Sequence, residues 1–307
     1  MQFGFAGSPT FAADILQIIL DAGLRPQLVI TQASKPTGRG RKIQHTPVHS
    51  QALQHNIPIE CPNKIEECAE SLSGLDLLAV AAYGQILPRS VLLTPSYGCI
   101  NVHASLLPRW RGASPIEHAI LHGDKITGVS IMHIEPRLDA GPVYLRRSIT
   151  LDGRETAATL SKNLARLGGI ALVEVLKQFA QKTDPKPTSQ AQTGITYAPR
   201  LTANDARIDW GLTAMANERK VRAFVERNPA FTTRGDLRLR VLEAEINRGD
   251  FSPGRLYRSN EQLVIGCAQD GLLLRTVQLN RGKGTVLSAK AILNGFGQLF
   301  EDGIQFD

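Results

Sequence analysis

Cysteine is scarce in this chain: four occur in 307 residues (Cys61, Cys68, Cys99 and Cys267), and none forms a close CxxC pair. That spacing speaks against a zinc site and against a secreted disulfide scaffold. Long apolar runs are also missing. A run such as Leu77 to Ala82 is far shorter than the ~20 residues of a membrane span, and Met1 leads into Phe3-Gly4-Phe5-Ala6 without a basic leader. The expectation is a cytoplasmic protein without a cleaved signal. Repeats are absent, and the 27 glycines and 17 prolines are scattered, which excludes collagen-like and low-complexity readings. One stretch lacks acid altogether: Thr31 to Ser50 holds no Asp or Glu, yet Lys35, Arg39, Arg41 and Lys42 fall within it. With Gly38 and Gly40 between them, these four cations describe a pliable loop suited to phosphates. The net charge of +7 fits a polyanionic partner without requiring one.

What is present is an ordinary globular composition, 42% hydrophobic and 21% charged, over a length that suits two domains. Short apolar or β-branched runs alternate with helical patterns, as in βαβ units around a mostly parallel sheet. Strands are expected at Gln2 to Ala6, Gln27 to Thr31, Ile57 to Ile59, Asp76 to Ala82, Cys99 to His103 and Gly128 to Ile134, with an antiparallel addition at Val143 to Ile149. Helices are expected at Pro9 to Ala22, Ile116 to Leu121 and Glu155 to Phe179. Residues 182–206 follow no period and read as a linker between a domain at 1–181 and another at 207–307. The latter opens with a helix near Gly211 to Phe224. Turn signals then recur at short intervals, the pattern of a small barrel.

The opening Phe5-Ala6-Gly7-Ser8-Pro9 has one glycine where a dinucleotide fingerprint needs three, which disfavours NAD or FAD. The sharper signal is Asn101-Val102-His103, because alternation along a strand puts Asn101 and His103 on one face. A rigid loop follows, Leu106-Leu107-Pro108-Arg109-Trp110-Arg111-Gly112-Ala113-Ser114-Pro115. Asp139, in Leu138-Asp139-Ala140-Gly141, reaches the same sheet end if the strand before it runs parallel. An amide, an imidazole and a carboxylate would then supply a donor, an acid/base and its orienter.

These segments together resemble the formyltetrahydrofolate-dependent formyltransferases. The matching stretches are Asn101-Val102-His103, Ser105 to Pro115, Leu138 to Gly141, Phe5 to Ala12, Lys35 to Lys42, Ala82 to Pro88, Thr196 to Pro199 and Ala206 to Trp210, and the branch they favour acts on methionyl-tRNA. The resemblance implies a Rossmann-like, mostly parallel sheet domain followed by a small OB-like β-barrel domain. It also implies 10-formyltetrahydrofolate as formyl donor, no metal, and methionyl-initiator tRNA as acceptor, with the protein acting as a monomer away from membranes. Asn101 and His103 would stabilise an oxyanion, and Asp139 would orient His103 and assist proton transfer. Ser105, Leu106, Leu107 and Pro108 would hold the folate, and Lys35, Arg39, Arg41 and Lys42 would meet the tRNA. Two segments depart from the family pattern, Glu135-Pro136-Arg137 and Asn228-Pro229-Ala230-Phe231. Competing readings are formyl transfer to an amino-sugar nucleotide, hydrolysis of the formylfolate, and a non-catalytic nucleic-acid-binding protein.

Overall fold

The first strand, Phe3–Gly7, is flanked on both sides by parallel partners, Leu28–Ile30 and Leu77–Ala81. Outward from these lie Ile59–Glu60 on one side and Cys99–His103 on the other, also parallel. In chain order the five strands stand 3-2-1-4-5, the doubly wound arrangement whose ligand crevice lies outside the carboxyl ends where the order reverses. The computed structural model describes residues 1–37, 42–183, 185–226, 228–259, 261–280 and 284–307. The chain divides into two compact units. One comprises Met1–Pro115, Ile126–Thr150 and Leu160–Pro199, and the other Ile116–Lys125, Leu151–Thr159 and Arg200–Asp307.

In the first unit the parallel strands read as near-continuous apolar runs because both sheet faces are covered. The helix Thr10–Asp21 buries Ala12, Ala13, Ile15, Leu16 and Ile19, the stripe expected from its 3.6-residue period. Gly168 and Gly169 let the long helix Ala157–Ala180 approach closely. A Cβ on Gly168 would lie 2.7 Å from Val102, and one on Gly169 2.8 Å from Ile18. That contact supports the back of strand Cys99–His103, leaving Asn101 and His103 to the opposite face.

Two expectations need correction. The strand Ile126–His133 runs antiparallel to Cys99–His103, with His103 opposite Ser130 and Ile100 opposite His133. The helix Pro115–His122 precedes it, and of that connection Ile116–Lys125 group with the second unit. Val143–Thr150 then adds antiparallel at the edge, as expected. Secondly, the segment read as a loop at Lys35 to Lys42 contains a short antiparallel ribbon, Lys35–Thr37 with Lys42–Gln44. Arg39 and Arg41, and the side chains of Lys35 and Lys42, lie outside the described residues. The helix Pro47–Gln54 that follows carries a Thr46 cap, whose hydroxyl accepts from the His49 N–H at 3.0 Å.

The second unit is an antiparallel half-barrel, the OB-like domain. Strands Phe231–Arg234, Leu237–Asn247, Gly271–Leu279, Gln262–Gly266 and Leu256–Ser259 neighbour one another in that order, with Val286–Ser288 also on Gly271–Leu279. Register shifts around Glu243 let the long strand bend. Leu239, Val241, Ile265, Leu272, Val277, Ile292, Phe300 and Phe306 fill its core. The helix expected near Gly211 begins at Ala214, because Thr213 caps it through a bond from the Ala216 N–H while Gly211 turns on the Asp209 carboxylate. No helix among the described residues is long and apolar enough to cross a membrane.

Burial sorts the thiols. Cys61 is exposed, whereas Cys68, Cys99 and Cys267 are buried. Burial pushes the Cys68 and Cys99 thiols up to about 12, with Glu60 adding to the effect at Cys68. At neutral pH a disulfide-exchange reagent is therefore expected to titrate one thiol in the native protein and all four after unfolding. More than one fast-reacting thiol in the native state would contradict the described burial.

Candidate active site

Strand Cys99–His103 alternates as its sequence requires. Ile100 and Val102 are buried, Asn101 is half-buried, and His103 is 5% exposed on the face it shares with Asn101. The imidazole is held from one side: Nε2 lies 2.9 Å from the Trp110 carbonyl oxygen. A carbonyl only accepts, so Nε2 carries the proton and Nδ1 is left to face the site. Asp139 Oδ2 stands 3.8 Å from that Nδ1.

The carboxylate is itself fixed, accepting the Gly112 N–H at 2.7 Å. Asp139 adopts a left-handed backbone, φ +46°, a conformation sparsely populated outside glycine. Its route to His103 is not the one strand polarity suggested. Strand Ile126–His133 ends beside Ile100, away from His103, and the Ile134 N–H bonds the Cys99 carbonyl at 2.8 Å. Residues 134–142 then turn back over the sheet, tightened by an Ala140 N–H to Arg137 carbonyl bond of 3.2 Å. The loop, rather than a parallel strand end, brings the carboxylate to the histidine.

The Ser105 to Pro108 segment is bound largely to the protein itself. Ser105 is buried and its hydroxyl donates to the Arg109 carbonyl at 2.5 Å. Leu107 is buried with Met132 and Val143, its N–H donates to Ser130 Oγ at 3.1 Å, and its carbonyl accepts from Arg146 Nε at 3.0 Å. Ser105 and Leu107 therefore shape this loop from below, while Leu106 and Pro108 are only partly buried. At the switch point of the sheet, Ser8 Oγ donates to the Tyr83 carbonyl at 3.0 Å and accepts the Gln32 N–H at 3.3 Å, joining the first and fourth strand ends.

Several functional groups escaped the sequence reading. The Trp110 carbonyl and the Gly112 N–H are main-chain groups of the long loop, at residues with φ +61° and +124°. Side-chain chemistry gives no sign of them. Gln190 lies in the segment read as a linker, yet it is 5% exposed. Nearby, Tyr197–Ala198 pairs in parallel with Arg111–Gly112, so this stretch is fastened to the first unit. Its polar, aperiodic composition carries no signal for that.

A cavity of about 530 Å³ in the second unit is lined by Arg207 and Lys220 but also by Asp205, Asp209 and Asp307. Its mixed charge fits neither a polyanion site nor the acid/base set described above.

Comparison with known proteins decides the family. The formyl transferase profile matches residues 3–176, and the formyl transferase C-terminal domain profile matches residues 200–297. A methionyl-tRNA formyltransferase from Methylococcus capsulatus is 41% identical over 302 residues, covering 96% of each chain. This chain belongs to the methionyl-tRNA formyltransferase family. Among solved structures, the methionyl-tRNA formyltransferase from Clostridium thermocellum superposes with a TM-score of 0.57 at 17% identity, over 81% of this chain and 95% of that one. An N-formyltransferase from Helicobacter canadensis, in complex with folinic acid and dTDP-3-aminofucose, gives 0.68 at 16% identity, over 89% and 98%. At such identities the structures establish the shared fold. Membership of the methionyl-tRNA formyltransferase family rests on the sequence relation, which spans both units.

Proposed function

We propose that this chain transfers the formyl group of 10-formyltetrahydrofolate to the α-amine of methionyl-initiator tRNA, giving N-formylmethionyl-tRNA for translation initiation. The observation that carries this reading is the His103–Asp139 pair at 3.8 Å, on the sheet face that also bears Asn101, in a chain of this family. The residues suit the reaction. As the amine attacks the formyl carbon, negative charge gathers on the formyl oxygen, and the Asn101 amide is a donor for it. The amine must lose a proton. His103 Nδ1 accepts it, and the resulting imidazolium is stabilised by the Asp139 carboxylate, while the Trp110 carbonyl keeps the ring from turning. That proton is then delivered to the folate nitrogen as its bond to the formyl carbon breaks. Ser105, Leu106, Leu107 and Pro108 define the wall for the folate.

In this assignment residues 1–181 form the catalytic domain, 182–206 a linker partly fastened to it, and 207–307 the tRNA-binding domain of a cytoplasmic monomer. Lys35, Arg39, Arg41 and Lys42 contact tRNA phosphates. Replacing Arg39, Arg41 and Lys42 with alanine is expected to weaken use of methionyl-tRNA and to flatten its salt dependence, by a slope of ~0.7–0.9 per lost contact. Folate affinity should not change. Formylation kinetics across a salt series test this, and identical slopes for wild type and variant would remove the loop from the tRNA interface. The overall proposal is tested by incubating the purified chain with 10-formyltetrahydrofolate and either methionyl-tRNA or a dTDP-amino sugar. Formylation of the sugar but not the tRNA would overturn it.

A further inference from the structure

We propose that Gln190 is a positioning residue for formyl transfer, its amide holding the Asp139 main chain in the conformation that aims the carboxylate at His103. The inference rests on the roles given above to Asp139 and His103. All four hydrogen-bonding positions of the Gln190 amide are used. Oε1 accepts from Arg111 Nε at 3.2 Å and from Arg111 Nη2 at 2.7 Å. Nε2 donates to the Asp139 carbonyl and to the Gly141 carbonyl, both at 2.8 Å. Because a guanidinium only donates and a carbonyl only accepts, these partners admit one orientation of the amide. Both side chains are buried, Arg111 at 4% and Gln190 at 5% exposure, so each bond is made away from water.

The geometry closes on one residue from two directions. Gln190, locked by the Arg111 side chain, grips the Asp139 carbonyl, and the Gly112 N–H, one residue beyond Arg111, grips the Asp139 carboxylate. The left-handed backbone of Asp139 is a conformation that persists where its surroundings over-determine it. Gln190 supplies that constraint on the main-chain side. Gly141, its second carbonyl partner, sits at the exit of the same turn, where a Cβ would overlap the His133 carbonyl oxygen and no side chain fits.

Glutamate is the informative replacement. Gln190→Glu keeps an acceptor for Arg111 but turns an oxygen toward two carbonyls that need N–H donors, so it loosens the Asp139 turn while retaining the buried cation's partner. The expected result is a kcat lower by ~10–100-fold, as for displacement of a reacting group by about an ångström, with KM for methionyl-tRNA changed by less than about threefold. The decisive measurement is a double-mutant cycle with Asp139→Asn, each protein checked by thermal unfolding. If Gln190 acts through the carboxylate, Gln190→Glu adds little further loss once Asp139 is asparagine. Independent losses that multiply in the double variant would overturn the inference, as would wild-type kcat in Gln190→Glu. Wild-type kcat in Asp139→Asn alone would instead overturn the reading of Asp139. Should Gln190→Glu not fold, Gln190→Asn, which withdraws the same amide by one methylene, is carried through the same cycle with the same two outcomes.

Discussion

Replacing His103 or Asn101 with alanine is expected to lower kcat by ~10²–10³, with KM for the formyl donor changed far less. For Asn101 this is the loss of a donor aimed at developing charge, and for His103 the loss of the group that takes the amine's proton, and both act chiefly in the transition state. The two variants differ in their side effects. Asn101 is half-buried on the face it shares with His103, so its removal costs little of the strand's packing. His103 is 5% exposed and satisfies the Trp110 carbonyl. Its loss removes a hydrogen bond to a buried carbonyl, at a cost of about 1–3 kcal/mol in stability. His103→Gln, whose amide can reach toward that carbonyl, separates the two effects. It should recover thermal stability without recovering turnover, since a glutamine cannot take the amine's proton. Near-normal kcat in His103→Ala would dismantle the assignment of the whole site.

Asp139→Asn should fold normally and still lose ~10²–10⁴ in kcat, the range of a proton-transfer contribution. The asparagine carbonyl can accept the Gly112 N–H that the carboxylate now accepts at 2.7 Å, so the loop retains its anchor. What disappears is the charge 3.8 Å from His103 Nδ1. An imidazole that has taken a proton from the amine then has no counter-ion, and its charged form is disfavoured when the reaction needs it. Steady-state kinetics with saturating donor and acceptor provide the check. A loss confined to KM would show that Asp139 binds substrate rather than supporting the proton transfer.

The strands of the first unit were legible because their patterns are strong. Cys99–His103 coincides with its expected bounds, and the alternation of Asn101 and His103 against Ile100 and Val102 placed the polar pair on one face. The polarity of Ile126–His133 was not legible, since an apolar run reads the same in either direction and only the course of the preceding helix decides it. The helix Ala289–Phe296 was missed for a related reason: eight residues after a run of strands offer little period, although Ser288 caps it. In the site, side chains on regular elements could be anticipated, and the main-chain acceptor of Trp110 and donor of Gly112 in positive-φ turns could not. Asp139 was anticipated at the right place by an argument that assumed the wrong strand direction. Gln190 illustrates the general limit, because its proposed role comes from four hydrogen bonds to three residues remote in sequence and nothing local marks it.

The bond between Arg111 and Gln190 spans 79 positions of chain, which sets an order of events during synthesis. A ribosome adding roughly 5–20 residues per second needs about 4–16 s to advance from Arg111 to Gln190. By the end of that interval the strands from Phe3 to Thr150 have been synthesised, yet until Gln190 arrives the Arg111 cation lacks that partner and stays hydrated. The nascent sheet can therefore form before the turn at Asp139 is fastened, and the contacts of Gln190 and of the strand Tyr197–Ala198 follow only once the segment through Ala198 has been made. A fragment ending after the helix at Ala180 would keep Asn101, His103 and Asp139 while lacking the strand Tyr197–Ala198 and the Gln190 amide that bonds the Asp139 carbonyl.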